Sequence, residues 1–456
     1  RHCVDDTSGL FITLPEDDLA YQDTFVKACL AAGINAEVID PEEAKRMEPS
    51  VNPSLIGAVK VPDGSVDPFR LCASNVFDAK IHGAKVLVYS EVIEFIKEQD
   101  TIKGVKVLDH HTGIVTDYYA PVTVNAGGIW GHHIAQMAGA NISMFPAKGA
   151  LLIFAHRVNS VVINRCRKPA NADILVPGDT VCVIGTTSTR VPYEECDHLK
   201  VTPDEVDLLL TEGAKLAPCL AETRVLRAYA GVRPLVSADN DPSGRNISRG
   251  IVCLDHETRD GIKGFISITG GKLMTYRLMG EMAADAVCKK LGRDAKCVTA
   301  YTPLPGSEPG GIEEISKKIW EVPTMVQKAS VGRFGTQAAN LDFDGDVKGS
   351  LVCECEEVSV SEVDSAIENL EVNNLVDLRR RTRFGMGTCQ GELCACRAAG
   401  RLAKARKCTA KARADLKDFM DERWKGMYPV AWGETLRESA YTQWVYSEVM
   451  GLGEEI

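Results

Sequence analysis

The sixteen cysteines of this 456-residue chain are unevenly spread, and five of them lie between Cys353 and Cys396. Within that group, Cys353 and Cys355 form a C-x-C pair, and after 33 intervening residues Cys389 and Cys394 form a C-x4-C pair. Two close pairs of thiolates can surround one metal centre, and both zinc and a [2Fe–2S] cluster accept four cysteine ligands. Structural zinc sites usually have about two to four residues between paired ligands, so the C-x-C pair favours an iron–sulphur centre.

The surroundings of these cysteines agree with an anionic metal centre. Glycines near the second pair would let backbone N–H groups point at sulphur, which tunes a reduction potential; they are Gly385, Gly387 and Gly391. Between residues 379 and 413 there are eleven Lys or Arg and one acidic residue, Glu392. These cations would stabilise a four-thiolate cluster or dock a partner, while a solvated basic helix face is the simpler alternative. We interpret Cys396 as a thiol that is not a ligand, although it could exchange with Cys394.

Two further segments each join an apolar strand to a pair of glycines and a helix, over residues 122–130 and 266–277. Such a turn lets the backbone approach a diphosphate closely, and the second turn also carries Lys272 beside it. The alternative is a tight turn of the kind found in any α/β protein. The candidate cofactor-binding residues are Asn125, Ala126, Gly127, Gly128, Gly270, Gly271, Lys272, Leu273 and Thr275.

Two arginines are candidates for binding an oxyanion together with Lys272. Arg233 lies in a short apolar segment, where an arginine is costly unless it is paired, and Arg249 follows a polar loop. The three cations could clamp a phosphate, or each could pair with an internal carboxylate. The sequence does not identify a catalytic base. His110 and His111 lie in a predicted hairpin turn and are expected on the surface, whereas His132 and His133 follow the first glycine turn and are better candidates.

Composition and patterning predict the elements that must position these residues. Apolar residues make up 45% and charged residues 25%, which is typical of globular proteins, and the net charge of -11 argues against non-specific nucleic-acid binding. Helices are predicted from Asp67-Pro68 to Gly83, from a Thr202 capping box to Leu216, and over Lys272–Leu291. A strand is predicted over Lys85–Tyr89. Strands and helices alternate with antiparallel runs, which indicates the α/β class with a large mixed sheet.

A Pro- and Gly-rich segment at Thr302–Gly311 divides the chain. We expect an oxidoreductase body over 1–300, a connector over 301–349, a cysteine domain over 350–402 and a helical tail over 403–456. A helix over Glu434–Met450 would place an apolar set on one face, either as a docking surface or packed on its own domain. That set is Leu436, Ala440, Tyr441, Trp444 and Val445.

Two parts of the chain resemble known families. Residues 351–400, with LVCECEEV and GMGTCQGELCACR, resemble the bacterioferritin-associated-ferredoxin-like [2Fe–2S] domain, which implies Cys353, Cys355, Cys389 and Cys394 as ligands. VNAGGIWG, the GTT of 185–187, AGVRPL and ITGGKLMTYR together resemble the FAD-dependent glycerol-3-phosphate dehydrogenases. LRRRTR, ERWKGMYPVAWGETLRES and the cysteine domain favour the anaerobic branch of that family.

The resemblance implies a DAO-like FAD-dependent body that oxidises glycerol 3-phosphate to dihydroxyacetone phosphate by hydride transfer from C2 to flavin. Arg233, Arg249 and Lys272 would lie at the substrate or the flavin, and electrons would leave through the [2Fe–2S] centre. Implied partners are an iron–sulphur subunit, a membrane-anchor subunit and, indirectly, a quinone, at the cytoplasmic face of the inner membrane.

One departure from the family bears on cofactor binding. No strand–G-x-G-x-x-G–helix unit for the ADP half of FAD is found in the sequence, so this chain is expected to lack that unit and to bind FAD poorly. The alternatives are another flavin amine or amino-acid oxidase, a non-catalytic iron–sulphur scaffold, and a zinc-binding interaction module over 350–400.

Overall fold

The computed structural model describes residues 3–236, 250–345 and 347–453. The strands of these residues are, in chain order, β1 (Val4–Asp5), β2 (Gly9–Thr13), β3 (Glu37–Ile39), β4 (Gly57–Val61), β5 (Ser65–Val66), β6 (Ser90–Glu98), β7 (Thr101–Asp109), β8 (Val115–Tyr119), β9 (Thr123–Asn125), β10 (Met144–Phe154), β11 (Val162–Arg165), β12 (Ile174–Pro177), β13 (Cys182–Gly185), β14 (Thr189–Arg190), β15 (Val225–Val236), β16 (Ile251–Asp255), β17 (Phe265–Gly270), β18 (Leu351–Cys353) and β19 (Val358–Ser359).

The helices are α1 (Tyr21–Ala31), α2 (Pro41–Met47), α3 (Pro68–Ile81), α4 (Gly131–Met137), α5 (Pro203–Leu216), α6 (His256–Asp260), α7 (Tyr276–Lys290), α8 (Ile312–Ile319), α9 (Met325–Phe334), α10 (Val360–Asn369), α11 (Leu375–Thr382), α12 (Ala395–Arg406), α13 (Ala410–Met427) and α14 (Gly433–Trp444). Within the described ranges, none of these helices is long and apolar enough to cross a membrane.

A nine-stranded mixed sheet forms the centre of the body, in the order β14-β10-β13-β12-β11-β2-β4-β3, with β15 also paired to β10. Successive residues of a strand point to opposite faces. On β10, Leu152 and Phe154 are fully buried in a core that includes Leu209 of α5. Leu151 and Ile153 instead line a cleft on the opposite face of the sheet. The second face is therefore free to form a site.

Two smaller sheets complete the body. β6, β7 and β8 form an antiparallel meander, and β9 lies parallel to β17 in a sheet that also contains β16. The parallel pair matters for the site, because both of its strands end at a predicted glycine turn.

The predicted helix starts at Asp67-Pro68 and at Thr202 are confirmed. The Asp67 carboxylate accepts from the N–H of Phe69 and Arg70, both at 3.0 Å, and α3 begins at the next residue. The Thr202 capping box is present at the start of α5. Two predicted spans are corrected: Lys85–Tyr89 is not a strand, since the strand begins at Ser90 where the chain pairs with β7, and Lys272–Leu291 is a short 3-10 turn followed by α7.

The cysteine domain consists of the β18–β19 hairpin and α10–α12, and it shares its core with the tail. Phe419 of α13 stacks on Phe384 with ring centroids 5.3 Å apart. Further along, Val430 lies in the core of the body, and the Thr435 hydroxyl donates to the Val225 carbonyl at 2.6 Å. The tail thus contacts both the cysteine domain and the body.

Candidate active site and metal centre

The four cysteines predicted as metal ligands lie together in the cysteine domain. Cys353 ends β18, Cys355 lies in the following turn, and Cys389 and Cys394 lie in the loop that leads into α12. Side-chain hydrogen bonds join their sulphurs in a row, from Cys353 to Cys394, then to Cys389 and then to Cys355. Cys396 lies apart from this row, exposed on α12.

Backbone N–H groups surround the row of sulphurs. The donors are Gly385 and Glu356 toward Cys353, Cys389 toward Cys355, and Gly391 and Leu393 toward Cys389. The loop needs glycine at Gly391, where φ is +95° and a Cβ would lie 2.6 Å from the Phe419 ring. Since a side chain at position 391 would clash with this aromatic ring, the loop can adopt this conformation only with glycine there.

The pKa values of the cysteine thiols are shifted in opposite directions. The pKa of Cys389 is lowered to about 5, first because the Cys394 thiol donates to its sulphur, and also because N–H groups point at it, although burial acts the other way. The pKa of Cys394 is raised because its proton is held by Cys353 and Cys389. The thiolate is the form that binds metal. An all-sulphur set ringed by N–H donors therefore fits a [2Fe–2S] cluster.

The sulphur contacts are pairwise. Among residues 3–236, 250–345 and 347–453, no three His, Cys, Asp or Glu side chains are arranged to hold a single metal ion.

Both predicted glycine turns lie at the same edge of the three-stranded sheet. β9 and β17 are parallel neighbours in which Asn125 lies beside Ser267, so their carboxyl ends point the same way. Ligands of α/β proteins bind outside the carboxyl ends of such strands. The backbone of Gly128, Gly270 and Gly271 is left-handed, with φ of +57°, +76° and +68°, which favours glycine.

A buried polar network fixes the first turn against β17. The Asn125 Oδ1 accepts from the Gly127 N–H at 3.1 Å, and its Nδ2 donates to the Ser267 hydroxyl at 3.1 Å. The Ser267 oxygen lies 2.8 Å from His256 Nε2, and His256 Nδ1 lies 2.5 Å from the Asp260 carboxylate. Sequence reasoning missed His256 and Ser267, because only the sheet register brings them to Asn125.

One charged and two apolar side chains are exposed at the second glycine turn. Thr275 Oγ1 accepts from the Lys272 N–H at 2.9 Å and closes the turn. Lys272, Leu273 and Met274 are exposed, as is Ala126 of the first turn. A glycine backbone with exposed apolar side chains beside it fits a diphosphate and a flat ring, so these residues fit FAD.

Arg233 lies on β15 above a glycine that leaves room for it. Its guanidinium donates to the Thr186 hydroxyl and, at 3.3 Å, to the Thr187 carbonyl. A Cβ at Gly149, on the neighbouring strand, would lie 2.5 Å from Arg233 Nη2. These contacts position the guanidinium, which is a planar donor group suited to binding an oxyanion.

The structure places the strand of Arg233 next to the predicted cofactor residues. β15, which carries Arg233, packs against β17 and against the turn Gly128–Trp130. The strand that carries Arg233 therefore lies beside both segments that carry the glycine turns. Arg249 lies outside the described residues.

One cleft of about 1580 Å³ connects this edge to the cysteines. Its floor is the free face of the main sheet, with Leu151 and Tyr229, and its lining runs from Leu273 of the second turn to Cys355. Arg227 also lines it, two residues before Tyr229 on the same face of β15. Sequence analysis did not select Arg227, although the alternation of Arg227, Tyr229 and Arg233 along one strand face is visible in the sequence.

The histidines differ in their surroundings. His110 is an exposed residue that pairs with Glu91 at 2.9 Å. His132 lies behind the first turn, where its Nδ1 is 2.7 Å from the Ile142 carbonyl and its ring stacks on Tyr193 with centroids 5.0 Å apart. His133 lies edge-on to the same Tyr193 ring.

Comparisons with known proteins agree with this architecture. The family model for FAD-dependent oxidoreductases (DAO) matches residues 1–277, and the model for the BFD-like [2Fe–2S] binding domain matches residues 351–402. A glycerol-3-phosphate dehydrogenase from Bacillus halodurans, solved with FAD, superposes with a TM-score of 0.72 at 20% identity, covering 95% of this chain and 84% of its own. The fold and the two matches define the chain as an FAD-dependent oxidoreductase that carries its own [2Fe–2S] domain.

Two curated relatives are much more similar in sequence. The anaerobic glycerol-3-phosphate dehydrogenase subunits A of Haemophilus influenzae and Escherichia coli K12 are each 59% identical, covering all of this chain and 81% and 84% of their own lengths. The chain belongs to this family of A subunits. The predicted α/β fold class, the family and the FAD and [2Fe–2S] cofactors are thereby confirmed, and the zinc alternative is not supported.

Proposed function

We propose that the chain oxidises sn-glycerol 3-phosphate to dihydroxyacetone phosphate where Arg233 and the two glycine turns meet. The observation that carries the proposal is the continuous cleft from Leu273 to Cys355, because it joins a substrate edge and an electron acceptor on one face of the sheet. The names of the relatives, which are anaerobic glycerol-3-phosphate dehydrogenase subunits, supply the substrate.

Three cations are proposed to bind the substrate. Arg233 would hold the phosphate through its planar guanidinium, whose position is fixed by Thr186. Lys272 would stabilise the developing negative charge on the C2 oxygen as its proton leaves. Arg249 is proposed as a second phosphate contact on the resemblance alone.

The cofactors supply the redox chemistry: bound FAD accepts the hydride that leaves C2, and a [2Fe–2S] cluster accepts single electrons. FAD would lie along Asn125–Gly128 and Gly270–Thr275, and the cluster would be held by Cys353, Cys355, Cys389 and Cys394.

We further propose His132, which follows the first glycine turn, as the group that accepts the hydroxyl proton of the substrate. The Ile142 carbonyl can only accept a hydrogen bond, so the proton of a neutral His132 ring resides on Nδ1. Its Nε2 is then the basic nitrogen, as a general base requires.

The relatives are A subunits, so the chain is part of a multi-subunit enzyme. We propose that its partners are an iron–sulphur subunit and a membrane-anchor subunit, which would hold it at the cytoplasmic face of the inner membrane and pass electrons to quinone. α14 supports a docking role, since it buries Thr435 and Ser439 and exposes Leu436, Tyr441 and Trp444. A helix that buries its polar side and exposes its aromatic side leaves an apolar face for a partner.

The test is to measure flavin, iron and zinc on anaerobically purified chain, and then to add glycerol 3-phosphate or an amino acid. With excess FAD added to the chain, we expect bound flavin, about two irons per chain and bleaching of the flavin absorbance by glycerol 3-phosphate only. Iron without flavin would contradict substrate oxidation by this chain. Bleaching by an amino acid would instead identify an amino-acid oxidase, and zinc in place of iron would overturn the electron-transfer role.

A further inference from the structure

Two arginines from different parts of the chain converge on one amide oxygen beside the cysteines. Arg227 Nη1 of β15 and Arg379 Nη2 of α11 lie 3.3 and 3.0 Å from Gln390 Oε1. Gln390 directly follows Cys389. The contact therefore joins the body, the cysteine domain and the metal loop.

The orientation of the Gln390 amide is fixed. Its Nε2 donates to the carbonyls of Met386 and Gly387 at 3.0 and 2.9 Å. The side chain is buried, and both donor hydrogens are used by carbonyls that can only accept. Oε1 must therefore face the two guanidiniums.

The charge of these two arginines is not balanced by a protein carboxylate. Within the described ranges neither guanidinium forms an ion pair, and Arg379 Nε has no hydrogen-bond partner. Glu422 is the carboxylate that raises the pKa of both arginines, and its side chain is 48% exposed. Arg333, by comparison, donates to Glu362 at 2.6 Å.

The environment destabilises both positive charges when no anion is present. The pKa of Arg227 is lowered by burial, and the pKa of Arg379 is lowered by burial and by Arg227. The charge of Cys394 acts in the opposite direction and raises the pKa of Arg379. The cysteines beside Gln390 would add negative charge next to these guanidiniums once a cluster is bound, because the thiolate is the form that binds metal.

We propose that Arg227 and Arg379 are the counter-charges of the [2Fe–2S] centre and raise its reduction potential. Reduction adds an electron to a centre that is already anionic, so two adjacent cations stabilise the reduced state more than the oxidised state. Because Arg227 belongs to the body, the potential depends on contact between the body and the cysteine domain. The inference rests on the cysteine ligands of the proposed function, which iron content and the EPR signal of the unaltered chain test separately.

The experiment is a redox titration of the cluster, followed by EPR, in the full chain and in Arg227→Gln, Arg379→Gln and Arg227→Lys. We expect each Gln variant to lower the equilibrium constant for cluster reduction about tenfold, which is ~59 mV for a one-electron couple. Arg227→Lys keeps the charge and should stay near the unaltered potential. Lys425→Gln is the matched control, because Lys425 lines the same cleft but is 56% exposed and pairs with Glu422.

The outcomes separate a charge role from a packing role. Unchanged potentials in both Gln variants, with iron retained, would overturn the proposal. If Arg227→Gln loses iron while Arg227→Lys keeps it at the normal potential, the charge is what holds the cluster, and the proposal stands. Loss of iron in both variants of Arg227 would make it a packing residue and would overturn the proposal.

Discussion

Asn125 and Ser267 lie side by side on the parallel strands β9 and β17, and the amide of the first donates to the hydroxyl of the second at 3.1 Å. The network continues from Ser267 to His256 Nε2, and His256 Nδ1 lies against the Asp260 carboxylate, which can only accept a hydrogen bond from it when ionised. The position of the first glycine turn thus depends on a network of four side chains that runs from Asn125 to Asp260.

Replacing Ser267 by alanine should leave two buried polar groups unsatisfied: His256 Nε2 and one N–H of the Asn125 amide, whose other N–H donates to the Gly131 carbonyl. Each unsatisfied group costs about 1–3 kcal/mol, so we expect a loss of that size or more in the free energy of unfolding. Urea unfolding of the purified chain measures it. Ser54→Ala, at an exposed serine, should change little; equal stability of the two variants would refute the role of the network.

Gly391→Ala tests the closed metal loop. The new methyl group would meet the Phe419 ring in a left-handed backbone, and we expect about 1–3 kcal/mol of destabilisation together with loss of iron. Gly345→Ala separates the two causes, because Gly345 has a similar φ of +93° but open space around it. Thermal unfolding and iron content should show only the small backbone cost in that control.

Gly149→Ala should weaken substrate binding without unfolding the chain. The added Cβ would displace the Arg233 guanidinium, which is the mobile end of a long side chain. We expect the KM for glycerol 3-phosphate to rise about tenfold, or about 1.4 kcal/mol of binding. Gly231, directly opposite Gly149 in the sheet, has nothing within 4 Å of an added Cβ, so Gly231→Ala should keep the normal KM.

Cys389→Ser should abolish iron loading while the body stays folded, because Cys389 is in contact with two of the other three thiols. Cys396→Ser is the control, since Cys396 is exposed and outside the row of sulphurs. Iron analysis and far-UV circular dichroism of both variants check this. Full iron content in Cys389→Ser would contradict the ligand set, and loss of iron in Cys396→Ser would place that thiol among the ligands.

The sequence was sufficient for features that depend on neighbouring residues. The caps of α3 and α5 follow from Asp67 and Thr202, whose side chains satisfy N–H groups within three residues. The grouping of Cys353 with Cys389 was also predictable, because paired thiols with glycines around them have few structural uses other than metal binding.

Features that depend on contacts between distant segments were not predictable in this way. The residues around Tyr89 were expected to be a strand, but pairing with β7 shifts the strand to Ser90–Glu98. Likewise, the contact of Arg227 with Gln390 joins residues 163 positions apart, and only the packing of the cysteine domain on the body creates it.

The path of the tail has a consequence for how electrons can move. The cysteine domain follows the body in sequence, and afterwards the chain returns to the body, where Val430 is buried in its core and Thr435 bonds to β15. Because the cysteine domain is held to the body at both of its ends, it is not free to move as a unit between an electron donor and an electron acceptor. The distance between the proposed flavin edge and the four cysteines is therefore set by the packing of the tail on the body.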